Sequence, residues 1–376
     1  MKPLFAACLA AFWNLCAVAA EDQKYPTLAV GAQAPDFSLP AVDGKTYSLA
    51  DFKASKVLFV IFTSNHCPTA QAYESRLKKL VDDFRGQSVA FVAINPNSPV
   101  GVRVDELGYT DVGDSFEDMK IRAKDRAYNF TYLDDGETEA VSMKYGPVAT
   151  PHVFIFDEKR ILRYEGRIDD SERASRVKTQ DARLAIEALL AGKEPPVKST
   201  KVFGCSTKWA YKADSNRQWL EKLHQQPATL TKIDAAGLTA LRENKSDKIR
   251  LINVWATWCG PCVSEFDDLI DTHLRFRQRD FEVVTVAAQD PDEESKVKRF
   301  LNEHHAVTKN YLFGETDTYK LIEAIDPEWK GALPHTLVIM PGGKVVLRAG
   351  ELEFLDLRRK LLPLLDQVAP WPATKE

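Results

Sequence analysis

Trp258-Cys259-Gly260-Pro261-Cys262 sets two thiols two residues apart, between an apolar run (Leu251, Ile252, Val254, Trp255) and a helical pattern over residues 263–276. The order reads as strand, tight turn and helix start, with Cys259 at the helix N-terminus. Unpaired N–H groups and the helix dipole stabilise a thiolate there. Thiol pKa values fall to roughly 3.5–7.5 in such places, so Cys259 is expected to be a nucleophile near neutral pH. Cys262, one turn on, is placed to attack a mixed disulfide on Cys259 and release the bound partner. The chemistry implied is thiol–disulfide exchange.

Zinc sites use the same spacing but need a second ligand pair. Cys67 and Cys205 are single and far apart, and His224, His304 and His305 stand in no finger spacing. No cofactor and no metal are expected. The wider run Asn253-Val254-Trp255-Ala256-Thr257-Trp258-Cys259-Gly260-Pro261-Cys262, with Glu265 three residues on, resembles the thioredoxin superfamily, most closely the TlpA/ResA-like periplasmic thiol:disulfide oxidoreductases. The resemblance covers about residues 229–368. Asn253 stands where thioredoxin itself has a buried Asp, which removes one proton acceptor. Glu265 and Asp290 are then the candidate bases, and Glu265 fits a plain solvent-facing position as well. Trp258 is expected to pack beside the cysteines and shield them.

The 376 residues favour two domains. With 44% hydrophobic and 28% charged residues and a formal net charge of −4, the composition is globular and gives no basis for nucleic-acid binding. Lys2, an apolar stretch over residues 4–18 and the small residues Ala17-Val18-Ala19-Ala20 read as a cleaved secretory signal over residues 1–20. Asn14 and the short run argue against a membrane span. Cys8 and Cys16 would leave with the signal. The expected location is periplasmic or secreted, with membrane contact only through the signal or an upstream membrane reductase.

The chain repeats one order of elements. In the second half, the strand before Cys259 and its helix are followed by a strand over 281–287 and a helix over 292–304. Leu333-Pro334-His335, the strand 336–340, the turn Gly342-Gly343, the strand 344–349 and a helix from 354 to 368 complete it. The first half has an apolar strand over 57–62, a helix opened by Cys67-Pro68, a strand over 89–94 and a helix over 115–127. Thr150-Pro151-His152, a hairpin over 153–166 and a helix over 181–191 follow. This implies an α/β chain of two thioredoxin-like domains, each a central mixed β-sheet flanked by helices. The domains are expected at 28–195 and 229–370, joined by a linker at 196–228 that carries Cys205. By the same resemblance, Pro151 and Pro334 are cis prolines facing the reactive cysteines, and the residue before each is free to pair with a bound peptide strand.

In the first half, Thr63-Ser64-Asn65-His66-Cys67-Pro68-Thr69-Ala70 has Ala70 in place of a second cysteine. Together with residues 114–120, 132–135, 150–151 and 166–170, it resembles the peroxiredoxin-like AhpC/TSA redoxins over about residues 28–212. A thiol peroxidase reading gives Cys67 the peroxidatic role and Ser64 the hydroxyl. Val60 stands where that family's motif has proline, and Arg126 and Arg167 are the candidate arginines. His66 could lower the Cys67 pKa or be an idle exposed side chain. Phe203-Gly204-Cys205-Ser206-Thr207-Lys208-Trp209 looks like a motif that family carries after its core, which makes Cys205 the candidate redox partner of Cys67. His66, Cys67 and His152 form a less favoured copper-type set.

Three readings remain open. The leading one is an exported thiol:disulfide oxidoreductase with Cys259 as nucleophile and Cys262 as resolving thiol, relaying electrons to Cys67 and Cys205. Its partners are protein disulfide or dithiol clients and an upstream electron donor. The others are a thiol peroxidase acting through Cys67 and a non-catalytic client-binding module.

Overall fold

Residues 24–370 are described by a computed structural model. The expected signal segment, with Cys8 and Cys16, lies outside them.

The first unit begins with a small hairpin, β1 (Ser38–Pro40) and β2 (Thr46–Ser48), paired antiparallel. Its core elements are β3 (Val57–Phe62), α1 (Pro68–Asp83), β4 (Val89–Asn95), α2 (Phe116–Asp125), β5 (Thr131–Asp134), a single turn α3 (Ser142–Tyr145), β6 (Ala149–Thr150), β7 (His152–Phe156), β8 (Leu162–Gly166) and α4 (Asp181–Leu190). Five strands form one sheet in the order β5-β4-β3-β7-β8. β3, β4 and β5 run parallel, and β7 and β8 are antiparallel additions. Every residue of β3 is buried, because helices and loops cover both faces. The period of two divides its side chains. Val57, Phe59 and Ile61 pack with Tyr73 and Leu77 of α1, while Leu58, Val60 and Phe62 pack with Leu39 and Tyr145 on the other face. Full burial of a side chain such as Phe59 is worth about 1.5–3 kcal/mol.

Beyond α4 come β9 (Cys205–Ser206) and α5 (Ala213–His224). The segment expected as a linker is therefore not a free connection. Ser199 bridges Glu165, Thr200 Oγ1 accepts from Arg167 N at 3.0 Å, and β9 pairs with β6. Its apolar and backbone groups find partners on the first unit, which short-range sequence patterning does not disclose.

The second unit runs β10 (Thr231–Ile233), α6 (Ala235–Glu243), β11 (Ile249–Trp255), α7 (Gly260–Phe276), β12 (Phe281–Ala287), α8 (Glu294–Glu303), β13 (Lys309–Phe313), α9 (Thr318–Ile325), β14 (His335–Ile339), β15 (Val345–Ala349) and α10 (Phe354–Val368). Its sheet order is β10-β13-β12-β11-β14-β15. The central strand β11 is again wholly buried. Ile249 and Leu251 meet α7 and α10 on one face, and Ile252 and Val254 meet α6 and α9 on the other. Asn253 shares the α7 face by alternation.

The loop after β4 rests on the C-terminal end of α7 and the turn that follows it. Gln278 Nε2 donates to Asp105 Oδ2 at 2.6 Å, and an Arg279 guanidinium N–H donates to Gly108 O at 3.0 Å. Arg359 of α10 reaches Asp111 at 3.0 Å. A helix of this length is about 25 Å long, so these contacts lie at the far end of α7 from Cys259. Among the described residues no helix is long and apolar enough to cross a membrane.

Candidate thiol-redox sites

Both units place a cysteine at the N-cap of the helix that follows their central strand, with proline in the first turn. Proline suits that place because its missing N–H would have no helical partner there. Cys259 Sγ accepts from Cys262 N at 3.3 Å, and Cys67 Sγ accepts from Ala70 N at 3.4 Å. In the second unit Cys259 and Cys262 form a disulfide. Thr150-Pro151 and Leu333-Pro334 are both cis. Leu333 packs against the cluster that contains Cys259 and Cys262, just as Thr150 O accepts from Cys67 S–H at 3.1 Å.

Trp258 is 66% exposed and shields nothing. The turn sends its ring outward, where it lines an open groove of about 320 Å³ with Asp290, Phe313 and Leu321. Glu265, in contrast, is only 5% exposed, so the solvent-facing alternative fails. Its carboxylate accepts from Asn253 Nδ2 at 3.1 Å and from Leu352 N at 3.0 Å. Burial raises its pKa above the ordinary carboxyl value, against the lowering effect of those hydrogen bonds. Asn253 also donates to Thr336 Oγ1 at 3.0 Å, tying α7, β11 and β14 together beneath the cysteines. The helix register holds a signal for this. Cys262, Glu265, Phe266, Leu269 and Ile270 are one buried stripe at i, i+3, i+4, i+7 and i+8. Asp290 is exposed and caps the next turn, accepting from Asp292 N at 2.9 Å. It is engaged as a cap and takes no part in the Glu265–Asn253 network.

In the first unit Cys67 is completely buried and remains a thiol, as does half-buried Cys205. His66 is also buried, not idle at the surface. Its Nδ1 lies 2.5 Å from Asp114 Oδ2. Asp114 accepts from the N–H groups of Asn65 (2.8 Å) and His66 (3.0 Å) and from Asn97 Nδ2 (2.8 Å). Burial opposes the imidazolium, but the Asp114 charge outweighs it and the His66 pKa is raised. His66 Nε2 is buried without a hydrogen-bond partner. The adjacent Cys67 thiolate is a charge this imidazolium can balance.

Burial by itself would push the Cys67 thiol up. The Cys205 thiol, the His66 charge and the N–H groups of Ala70 and Cys205 outweigh it and bring the thiol down to about 6. The Cys205 thiol moves well upward, first because it is the donor to Cys67 and then because it is buried beside that charge. The pair therefore loses its first proton from Cys67, with Cys205 S–H holding the resulting thiolate. Cys205 N also lies 3.4 Å from Cys67 Sγ.

Other candidates lie elsewhere. Ser64 Oγ is 2.9 Å from Thr150 Oγ1. Arg167 pairs with Asp181 at 2.8 Å, and exposed Arg126 lies 3.7 Å from Glu74; neither arginine is engaged with Cys67. His152 uses Nε2 on Glu165 at 3.0 Å and Nδ1 on Val148 N at 3.3 Å. The copper-type set is thus not assembled, and no group of three or more His, Cys, Asp or Glu suited to a metal occurs among the described residues. The sequence assigns no role to Asp114 or Asn97. Both sit on the loops after β4, and nothing in their spacing points to His66.

Two thioredoxin-like folds, each with an N-cap cysteine beside a cis proline, define a redoxin with two thiol sites. Residues 30–165 and 225–348 match the AhpC/TSA family, and the chain belongs to that family. It is similar to the thioredoxin-like protein YneN of Bacillus subtilis, 27% identical over 40% of this chain and 77% of that one. It is also similar to the thiol-disulfide oxidoreductase ResA of Oceanobacillus iheyensis, 26% identical over 34% of this chain and 57% of ResA. The chain thus spans little more than half of that ResA. A hypothetical protein of known structure from Sinorhizobium meliloti is 34% identical, with a TM-score of 0.44 over 50% of this chain and 97% of its own.

Proposed function

We propose that this protein is an exported thiol:disulfide oxidoreductase whose second unit exchanges disulfides with protein clients. The observation that carries the reading is the Cys259–Cys262 disulfide at the N-terminus of α7. In the reduced state Cys259 attacks the client disulfide and releases one client thiolate. Cys262 then attacks the mixed disulfide, releases the second client thiol and restores the Cys259–Cys262 bridge. Two electrons pass to the client, and an upstream dithiol donor returns them. Glu265, buried one turn after Cys262, is suited to holding the proton that Cys262 must lose. The groove beside exposed Trp258 and the open edge at Leu333-Pro334 supply client contact.

The domains are assigned to residues 28–195 and 229–370, with 196–228 between them serving the first site through Cys205. Export rests on the first twenty residues, where Lys2, an apolar stretch and small residues fit a secretory signal. Cys67 and Cys205 form a second dithiol, and the disulfide it gives on oxidation can receive two electrons from the reduced Cys259–Cys262 pair. No bridge or hydrogen bond joins the two cysteine pairs among the described residues, so this relay requires a movement that brings Cys259 to the first site or a second copy to donate.

The experiment is insulin reduction by the full mature chain with a chemical dithiol as electron source. Activity should fall to background with Cys259→Ser. Full activity in that variant would refute the assignment, and client capture that survives it would favour the binding-module reading.

The low Cys67 pKa also favours a thiol peroxidase reading. Peroxide consumption that requires Cys67 and not Cys259 would support it.

A further inference from the structure

Both units set an N-cap cysteine beside a cis proline, and besides the second cysteine that Ala70 replaces in the first, they differ in what covers the residue before that proline. In the second, Leu333 packs on the cluster that holds Cys259, no strand among the described residues pairs with it, and Cys259 keeps a 6% exposed surface. In the first, the equivalent residue Thr150 is covered. β9 lies antiparallel to β6, with Cys205 opposite Thr150 and Ser206 opposite Ala149.

The covering segment is held along its length. Thr207 Oγ1 donates to Pro147 O at 2.7 Å. Lys208 N donates to Asn97 Oδ1 at 2.8 Å, and Lys208 O accepts from Ser98 N at 2.9 Å. Lys208 Nζ reaches Glu106 at 2.5 Å. Gly204 has φ +148, and a Cβ there would collide with Thr150 O. Only glycine lets the chain come this close. The outcome is a nucleophilic sulfur, Cys67, with no exposed surface at all.

We propose that residues 203–209 are a tethered client strand, which occupies the peptide position at Thr150 and confines Cys67 to exchange with this chain's own Cys205. The first site is closed to outside protein disulfides while the second is open to them. Within the closed site the exchange is complete. A diazene oxidant accepts two electrons and two protons, the two thiols lose them, and the Cys67–Cys205 bond forms with no other thiol taken up. This inference extends the two-site reading above but does not depend on Cys259 being active.

The test is timed alkylation of the reduced full chain with iodoacetamide, read peptide by peptide by mass spectrometry. Accessibility of a covered group follows the free energy of local opening, so Cys67 should react roughly a hundredfold more slowly than Cys259 despite its low pKa. Gly204→Ala should raise the Cys67 rate roughly tenfold or more, because the strand can no longer sit against Thr150. The Cys259 rate in the same sample reports on the second unit, and far-ultraviolet circular dichroism reports on the fold. If Gly204→Ala fails to fold, Thr207→Val, which loses only the bond to Pro147, must raise the Cys67 rate in the same direction. Cys67 reacting as fast as Cys259 in the parent, or unchanged by the variant that folds, would overturn the proposal. Insulin reduction decides the oxidoreductase reading separately.

Discussion

His66 Nδ1 lies 2.5 Å from Asp114 Oδ2, and both side chains are buried beside Cys67. A charged imidazole is thus fixed next to a nucleophilic sulfur by a carboxylate that never touches the sulfur. Asp114 is a positioning residue, and its effect is electrostatic as well as geometric.

Asp114→Asn should therefore raise the Cys67 thiol from about 6 toward its ordinary 9.0. A rise of about one unit corresponds to about 1.4 kcal/mol. The measurement is thiolate ultraviolet absorbance against pH with Cys259–Cys262 left oxidised. Breaking a buried pair also costs about 3–5 kcal/mol of stability, so the variant must be titrated below its melting range. An unmoved titration curve in folded variant would show that Asp114 is structural only.

Glu265→Gln tests the buried carboxylate. Its folded-state pKa lies above the ordinary 4.5 because burial disfavours the charge. Folding then favours the protonated form, and stability from this group falls as pH rises through the folded pKa. The stability of Glu265→Gln relative to the parent should shift in the variant's favour as pH rises from about 4 to 8. Urea unfolding across that range reads the difference. A constant difference, or one that shifts the other way, would contradict the raised pKa. The pH dependence of Cys262 reactivity should flatten in the same variant if Glu265 holds its proton.

Trp258→Ala should leave stability within about 0.5 kcal/mol, since an exposed ring supports no core. Its effect should fall on protein clients. KM for insulin should rise while reaction with a small aromatic disulfide stays the same. Equal loss with both substrates would place Trp258 in the chemistry instead of in client contact.

Mild oxidation with diamide should yield a Cys67–Cys205 bridge in the full chain, seen as a linked peptide pair. In Cys262→Ser, incubation with the bridged form should trap Cys259 on half-buried Cys205 if electrons pass between the units. Bridge without trapping leaves two independent redox pairs. Cys67 and Cys205 still reduced when Cys259–Cys262 is oxidised would rule out the relay.

The main strands and helices were legible because central strands and amphipathic helices write their burial into periodicity. The strand at Val57–Phe62 and the helix at Phe354–Val368 follow directly from apolar spacing. Some short parallel strands were not legible. β5 has four residues and β10 three, and their place is fixed by pairing with β4 and β13. The helix α5 fell in a stretch read as linker, because it buries no residue deeply enough to mark a face. The outward ring of Trp258 is not legible either, because adjacency to Cys259 says nothing of which way a turn points its neighbour.

The sequence by itself determined the chemistry. Helix-start cysteines, the prolines after them and the X-Pro pairs are local features, and local backbone preference is enough to place a thiol at an N-cap. The second cysteine missing at Ala70 is legible in the sequence, but tertiary structure alone decided what surrounds and covers each thiol. Asp114 reaches His66 across 48 residues, and Cys205 reaches Cys67 across 138. No periodicity encodes such distances, because they follow from how loops fold back over the sheet. That return path covers Cys67 with the chain's own strand and leaves Cys259 beside an open edge.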